Sequence, residues 1–114
     1  MTLNHVIPDH PLEFIQKCVA ESKVLWTYHV NMRLKGRFIS RQAIVKSYLS
    51  YEIIEHYPED KYLPSYLIRA EYQNEVFHIL YAVDVEGDNI RIVTSYRPDP
   101  EEWSECYRKR RHNL

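Results

Sequence analysis

The chain has few glycines and few cysteines, and both shortages exclude classes of site. Two glycines among 114 residues cannot build the glycine-rich loops that cradle the phosphates of nucleotide cofactors. Cys18 and Cys106 stand far apart within apolar patterns, so we interpret them as reduced packing residues rather than as a disulfide or zinc ligands. The sequence therefore implies no cofactor and no metal site.

Long hydrophobic runs are also absent. No apolar stretch approaches the roughly 20 residues that cross a bilayer, and the N-terminus lacks a basic start followed by an apolar segment. We therefore expect a cytoplasmic protein with no membrane partner. Because 114 residues is a common domain size, we predict a single domain over residues 1–114, in which residues 1–10 form a loose leader.

Charge is balanced in total but uneven along the chain. The formal net charge is −1, yet the stretch between Glu21 and Glu52 holds no acid and only these basic residues: Lys23, Arg33, Lys35, Arg37, Arg41 and Lys46. Residues 108–111 are all basic, whereas acids gather at Glu52, Glu55, Glu59 and Asp60. We interpret the last three acids as solvated turn residues around Pro58, and we expect a protein with a basic and an acidic side.

Helices are predicted in the first half of the chain. Pro11 suits the first turn of a helix, and apolar residues then recur at helical spacing for about three turns. A short strand is favoured at residues 24–28, and a second helix is predicted from His29 to Lys35, ending near Gly36. Ser40 is a good N-cap for a third helix.

Strands are predicted after Tyr51, at residues 52–57, 65–72, 76–85 and 89–97. If Gly87 and Asp88 form a two-residue turn, His78 and Arg97 lie opposite each other on the polar face of the sheet. A capping-box pattern beginning at Asp99 then predicts a last helix that reaches about Arg111. The expected fold class is α+β, with N-terminal helices, an antiparallel sheet of about four strands and a C-terminal helix.

Two sets of side chains have the residue types that phosphate chemistry needs. His29, Arg33 and Arg37 recur every four residues and would form a cationic stripe on a helix, in which arginine grips phosphate and histidine moves a proton. His78 and Arg97 form the second set. A solvated helix face and an exposed strand pair would give the same patterns.

Three aromatic residues could stack on a nucleotide base: Tyr57, Tyr96 and Trp103. Packing in the core is the commoner role of such rings. An enzyme or a phosphate-binding protein is favoured if His29, Arg33, His78 and Arg97 meet around one concave surface, and both are disfavoured if the two sets lie on opposite sides.

Three motifs occur in order along residues 25–103: His29-x-x-x-Arg33-x-x-x-Arg37, Ile53-Ile54-Glu55-His56-Tyr57-Pro58 and Thr94-x-Tyr96-Arg97-Pro98. In this order they resemble domain-of-unknown-function family 4258. The resemblance implies a compact fold of the RelE-like ribonuclease toxin type, often encoded beside a small antitoxin-like protein.

The basic stripe and the resemblance together lead us to hypothesise a metal-independent endoribonuclease that acts on RNA. Its catalytic residues would be His29, His78, Arg97 and Tyr96. Its substrate-binding residues would be Arg33, Arg37, Tyr57 and Trp103. The alternative is a non-catalytic binding module for nucleic acid or for a protein partner, in which the same cations only hold phosphates or acidic side chains.

Overall fold

The computed structural model describes residues 6–111, in which helices come first and strands follow. The helices are α1 (Pro11–Ala20), α2 (Tyr28–Gly36), α3 (Arg41–Lys46) and a 3-10 turn (Tyr48–Ser50). The strands are β1 (Val24–Leu25), β2 (Glu52–Tyr57), β3 (Ser65–Tyr72), β4 (Glu75–Asp84), β5 (Asn89–Tyr96), β6 (Trp103–Ser104) and β7 (Lys109–Arg110). None of the helices within this range is long and apolar enough to cross a membrane.

Side-chain caps begin two of the helices, and the cap at Ser40 is the one that the sequence predicts. Ser40 Oγ accepts a hydrogen bond from the backbone N–H of Ala43 at 3.0 Å, and Thr27 Oγ1 accepts one from Val30 at 3.2 Å. Residues 6–10 carry no helix or strand. The rest of the expected leader, residues 1–5, lies outside the described residues, and the single domain stays a prediction.

The main sheet has five strands in the order β1-β5-β4-β3-β2. β2, β3, β4 and β5 pair antiparallel in sequence order, but β1 lies parallel to β5, with Val24 beside Ile90. The α+β class is therefore correct, whereas the purely antiparallel sheet of about four strands is wrong. β1 can run parallel to β5 because no hairpin connects these two strands.

The helices cover one face of this sheet, which we call the helix face. Alternate residues of the central strands are buried there: Tyr66, Ile68, Ala70, Phe77, Ile79, Tyr81, Val83, Ile90 and Ile92. Ile15, Val30, Leu34 and Ile44 pack on them from the helices, each contributing roughly 1.5–3 kcal/mol by leaving water. Strand alternation puts the intervening residues on the opposite face.

The turn between β4 and β5 has four residues, so the predicted two-residue turn is wrong. Asp84 pairs with Asn89, and Asp84 Oδ1 accepts a hydrogen bond from Gly87 N at 2.9 Å, which closes the turn. Further along, the register shifts because Val93 is an extra residue in β5. His78 consequently lies opposite Tyr96 and not opposite Arg97.

The predicted C-terminal helix is also wrong. Asp99 Oδ1 does accept a hydrogen bond from Glu101 N at 2.8 Å, as a cap would, but residues 100–102 form only a turn. Trp103 is buried and begins β6, and the chain reverses through three residues with positive φ to pair β6 with β7. Tertiary contacts of this C-terminal hairpin (residues 103–110) outweigh the local preference for helix.

Candidate functional site

The face of the sheet opposite the helices carries the C-terminal hairpin, and we call it the hairpin face. A second β-bulge shapes it: Ile54 is an extra residue in β2, so Glu55 pairs with Leu67 and shares its face. Together with the bulge at Val93, this brings Glu55 and Tyr96 to the hairpin face. Regular alternation from Ile53 in β2 and from Ile92 in β5 would have placed both on the helix face.

A pocket of about 340 Å³ opens on this face, and we call it the hairpin-face pocket. Its lining consists of Glu55, Tyr57, Asp60, Leu67, Leu80, Thr94, Tyr96 and Arg110. The two leucines provide an apolar floor, and the other six side chains provide donors and acceptors around it. Two of its lining residues, Tyr57 and Tyr96, are among the candidate site residues singled out by sequence.

Glu55 is the charged centre of this pocket. Arg110 donates to it from Nε at 2.7 Å and from Nη2 at 3.1 Å, and the hydroxyl of Tyr57 donates to it as well. Burial raises the pKa of Glu55, but the hydrogen bonds from Arg110 and Tyr57 outweigh burial, and the pKa lies below its ordinary value. Glu55 is therefore a carboxylate at neutral pH, and the hydrogen bond that Tyr57 donates to it raises the pKa of Tyr57.

His78 lies beneath the pocket and is completely buried. Its Nε2 atom is 2.8 Å from the carbonyl oxygen of Tyr107, so Nε2 must carry the proton in that hydrogen bond. Burial lowers the pKa of His78, although the bond to Tyr107 opposes this. The ring is thus neutral at pH 7, and Nδ1 accepts a longer hydrogen bond, at 3.3 Å, from the hydroxyl of Tyr96.

Aromatic contacts join His78 to the residues above it. Its ring meets Trp103 edge-to-face at 4.5 Å and Tyr96 at 5.4 Å between centroids. Arg110 pairs with Trp103 across the hairpin, and its guanidinium lies 4.6 Å from the centroid of the Trp103 ring. Trp103 is only 3 % exposed, so it packs the site together and does not offer the stacking surface suggested by sequence.

Arginine side chains attach the C-terminal hairpin to the sheet. Arg69 is nearly buried and donates from Nε to the carbonyl of Cys106 at 2.8 Å and from Nη1 to Glu52 at 3.2 Å. Arg108 reaches the same carboxylate at 3.0 Å. Hydrogen bonding by Arg108 is the main reason that the pKa of Glu52 is lowered. The basic tail and the acidic strand therefore meet, instead of forming opposite sides of the protein.

The predicted α2 residues do not join this site. His29 and Arg33 are exposed on α2, which packs on the helix face through Val30 and Leu34. They consequently lie on the other side of the sheet from His78. The convergence that the sequence hypothesis required does not occur for these two residues.

Arg37 and Arg97 connect secondary-structure elements. Arg37 Nη1 donates to the carbonyl of Ser95 at 2.6 Å and to Thr94 Oγ1 at 3.2 Å. Arg97 donates to the carbonyls of Arg37 and Phe38 at 2.6 and 3.0 Å. The bonds from Arg97 satisfy carbonyl groups just after α2, and those from Arg37 reach β5, so both arginines hold the end of α2 against β5.

Sequence reasoning missed Glu55 and Arg110 as site residues. Glu55 was assigned to a solvated turn because Pro58 and two further acids follow closely. The spacing of Glu55 and Tyr57 by two residues does indicate a shared strand face. No sequence pattern indicated that a hairpin would bring Arg110 to that face.

The sheet, its helix layer and the hairpin-face pocket define a small α+β protein with two carboxylates, two phenols and a guanidinium in one cavity. Within residues 6–111, no group of three or more His, Cys, Asp or Glu side chains is placed to hold a metal ion. Residues 26–100 match the family described as Domain of unknown function (DUF4258), and the chain belongs to that family. No curated protein and no solved structure matches it.

Proposed function

We propose that the hairpin-face pocket is the active site of a metal-independent endoribonuclease of the RelE-like toxin type. The observation that carries this proposal is the meeting of Glu55, Tyr57, Tyr96 and Arg110 around one cavity of about 340 Å³. RNA cleavage without a metal needs a proton acceptor, a proton donor and a cation beside the phosphate. All three kinds of group line this cavity.

The roles follow from the protonation states. Glu55, an ionised carboxylate, accepts the proton of the ribose 2′-hydroxyl, whose oxygen then attacks phosphorus. The bond from phosphorus to the 5′-oxygen breaks, leaving a 2′,3′-cyclic phosphate. Burial raises the pKa of Tyr96 and so keeps its hydroxyl protonated. This hydroxyl turns its proton from the long bond to His78 Nδ1 to the departing 5′-oxygen and donates it there.

Arg110 supplies positive charge to the phosphate oxygens. Its guanidinium has five N–H donors, and the contacts to Glu55 use two of its nitrogens. Tyr57 is 40 % exposed at the rim, where its ring is available to a base. His78 touches no substrate in this scheme, because it is buried; it is a positioning residue that holds the Tyr96 hydroxyl.

The test is cleavage of RNA by the purified protein in the presence of a chelator. Tyr96→Phe removes only the hydroxyl and should slow cleavage by roughly 10²- to 10⁴-fold, the usual contribution of one acid or base. Glu55→Gln should do the same. His29→Gln is the matched control, because this exposed histidine lies on the opposite side of the sheet. No cleavage by the wild type, or equal rates for Tyr96→Phe and wild type, would overturn the proposal.

A non-catalytic binding module is the second candidate, and one observation favours it. Arg69, Arg108 and Arg110 all bind glutamates in the described structure, so this network can hold the hairpin without doing chemistry. Such a module would bind RNA or an acidic partner in a salt-dependent way without turnover. Co-purification with the product of a neighbouring gene would test the antitoxin-like partner that the family resemblance implies.

A further inference from the structure

The last basic run of the chain is divided into two pairs by strand alternation. Arg108 and Arg110 turn toward β2, where they bind Glu52 and Glu55. Lys109 and Arg111 occupy the alternate positions and are exposed. The two pairs therefore have different roles, although the four residues are consecutive and chemically similar.

Within the described structure, no strong ion pair neutralises the positive charges of Lys109 and Arg111. Arg111 donates from Nε to the carbonyls of Pro100 and Trp103 at 2.9 and 3.1 Å, and among the described residues no carboxylate forms an ion pair with it. Lys109 lies 3.6 Å from Glu105, but both side chains are more than half exposed. Such an exposed pair is weak and exchanges readily for a stronger anion.

These two side chains line an open groove of about 770 Å³ beside the hairpin-face pocket. The groove is lined by Ile54, Glu55, Ser104, Arg108, Lys109, Arg110 and Arg111. Glu55 and Arg110 border both the groove and the pocket. The groove and the pocket are therefore adjacent and share these two side chains.

We propose that Lys109 and Arg111 form a second phosphate subsite, so that the ligand is a single-stranded RNA segment extending from the pocket along the C-terminal hairpin. This inference rests on the proposed function for the identity of the ligand. Exposed cations along an open groove are the usual way in which proteins follow a nucleic-acid backbone. Arg111 adds a planar fork that suits two phosphate oxygens.

Binding can be measured apart from cleavage. A fluorescent oligouridine of about twelve nucleotides is titrated with Tyr96→Phe protein, and anisotropy reports the affinity. Adding Lys109→Gln and Arg111→Gln should weaken binding by roughly ten-fold. The slope of log affinity against log salt should become shallower by about 1.4, since each lost contact to a single strand contributes about 0.7.

The matched control is Arg33→Gln with Lys35→Gln, which removes the same charge from two exposed positions on α2. It should change the affinity by less than about two-fold if binding is local. Because Arg111 also bonds two carbonyls, Lys109→Gln is measured alone and should weaken binding by about three-fold. A dinucleotide competitor, which fills only the pocket, should bind all of these variants equally.

Equal weakening in the α2 control, or no weakening in the groove variants, would overturn the subsite. Failure of the proposed function has a different signature. If the wild type never cleaves RNA but the groove variants still lose affinity selectively, the ribonuclease assignment falls and the subsite belongs to a binding module.

Discussion

His78 is the buried contact on which the C-terminal hairpin depends, and His78→Ala should loosen that hairpin. The substitution leaves the carbonyl of Tyr107 without its donor, which is 2.8 Å away in the native protein. A buried acceptor without a partner costs about 1–3 kcal/mol. Loss of the edge-to-face contact with Trp103, at 4.5 Å, adds about 0.5–1.5 kcal/mol.

The expected fall in the free energy of unfolding is therefore about 1.5–4.5 kcal/mol, a large share of the 5–15 kcal/mol typical of a domain. Urea unfolding followed by tryptophan fluorescence measures it. Trp26 and Trp103 are the two tryptophans, so a Trp26→Phe background makes Trp103 the reporter of the hairpin. His29→Ala is the control, because this histidine is exposed and should cost no more than about 0.5 kcal/mol.

A loss below about 1 kcal/mol for His78→Ala would refute the reasoning. It would mean that the imidazole neither satisfies Tyr107 nor supports Trp103 in solution. The fluorescence transition of Trp103 can also be compared with the loss of circular dichroism. If Trp103 changes at lower urea, the hairpin opens before the sheet.

Other consequences can be measured on the same protein. Burial lowers the folded-state pKa of His78. The stability that the neutral ring contributes should therefore be complete above about pH 6.5 and lost as the pH falls through the folded-state pKa. Urea midpoints measured between about pH 7 and 5 check this, and a midpoint that rises toward acid pH would contradict it. Gly87→Ala should cost about 1–2 kcal/mol in the same assay, since its Cβ would meet Asp84 Oδ2 at 2.5 Å and push away the side chain that closes the turn. Gly36→Ala is its control, because nothing lies within 4 Å of that position, and it should be neutral or stabilising by up to about 1 kcal/mol.

Local signals in the sequence identified most helices and strands. Pro11 begins α1, Ser40 caps α3, and β2 and β3 have the predicted bounds. These elements agree because capping and strand alternation depend on neighbouring residues only. The same local rules placed a cap at Asp99, and that cap is present.

The errors arose where distant residues decide the structure. The helix after Asp99 fails because Trp103 is buried against His78 and because Arg69 and His78 supply donors to the carbonyls of residues 106 and 107. Neither partner is visible from a helical pattern. Likewise, a bulge leaves no composition signal, yet the bulge at Val93 determines that Tyr96 faces His78.

Arg110 both holds the hairpin and takes part in the proposed chemistry, so a variant of Arg110 cannot separate the two roles. It binds Glu55, lies over Trp103 and borders both the pocket and the groove. Replacing it would disturb the fold and the site together, so a loss of activity could not be assigned to either. Tyr96→Phe keeps the ring contact with His78 and removes only a hydroxyl whose bond to Nδ1 is long, at 3.3 Å. Lost cleavage at unchanged unfolding free energy in that variant would therefore assign the effect to chemistry.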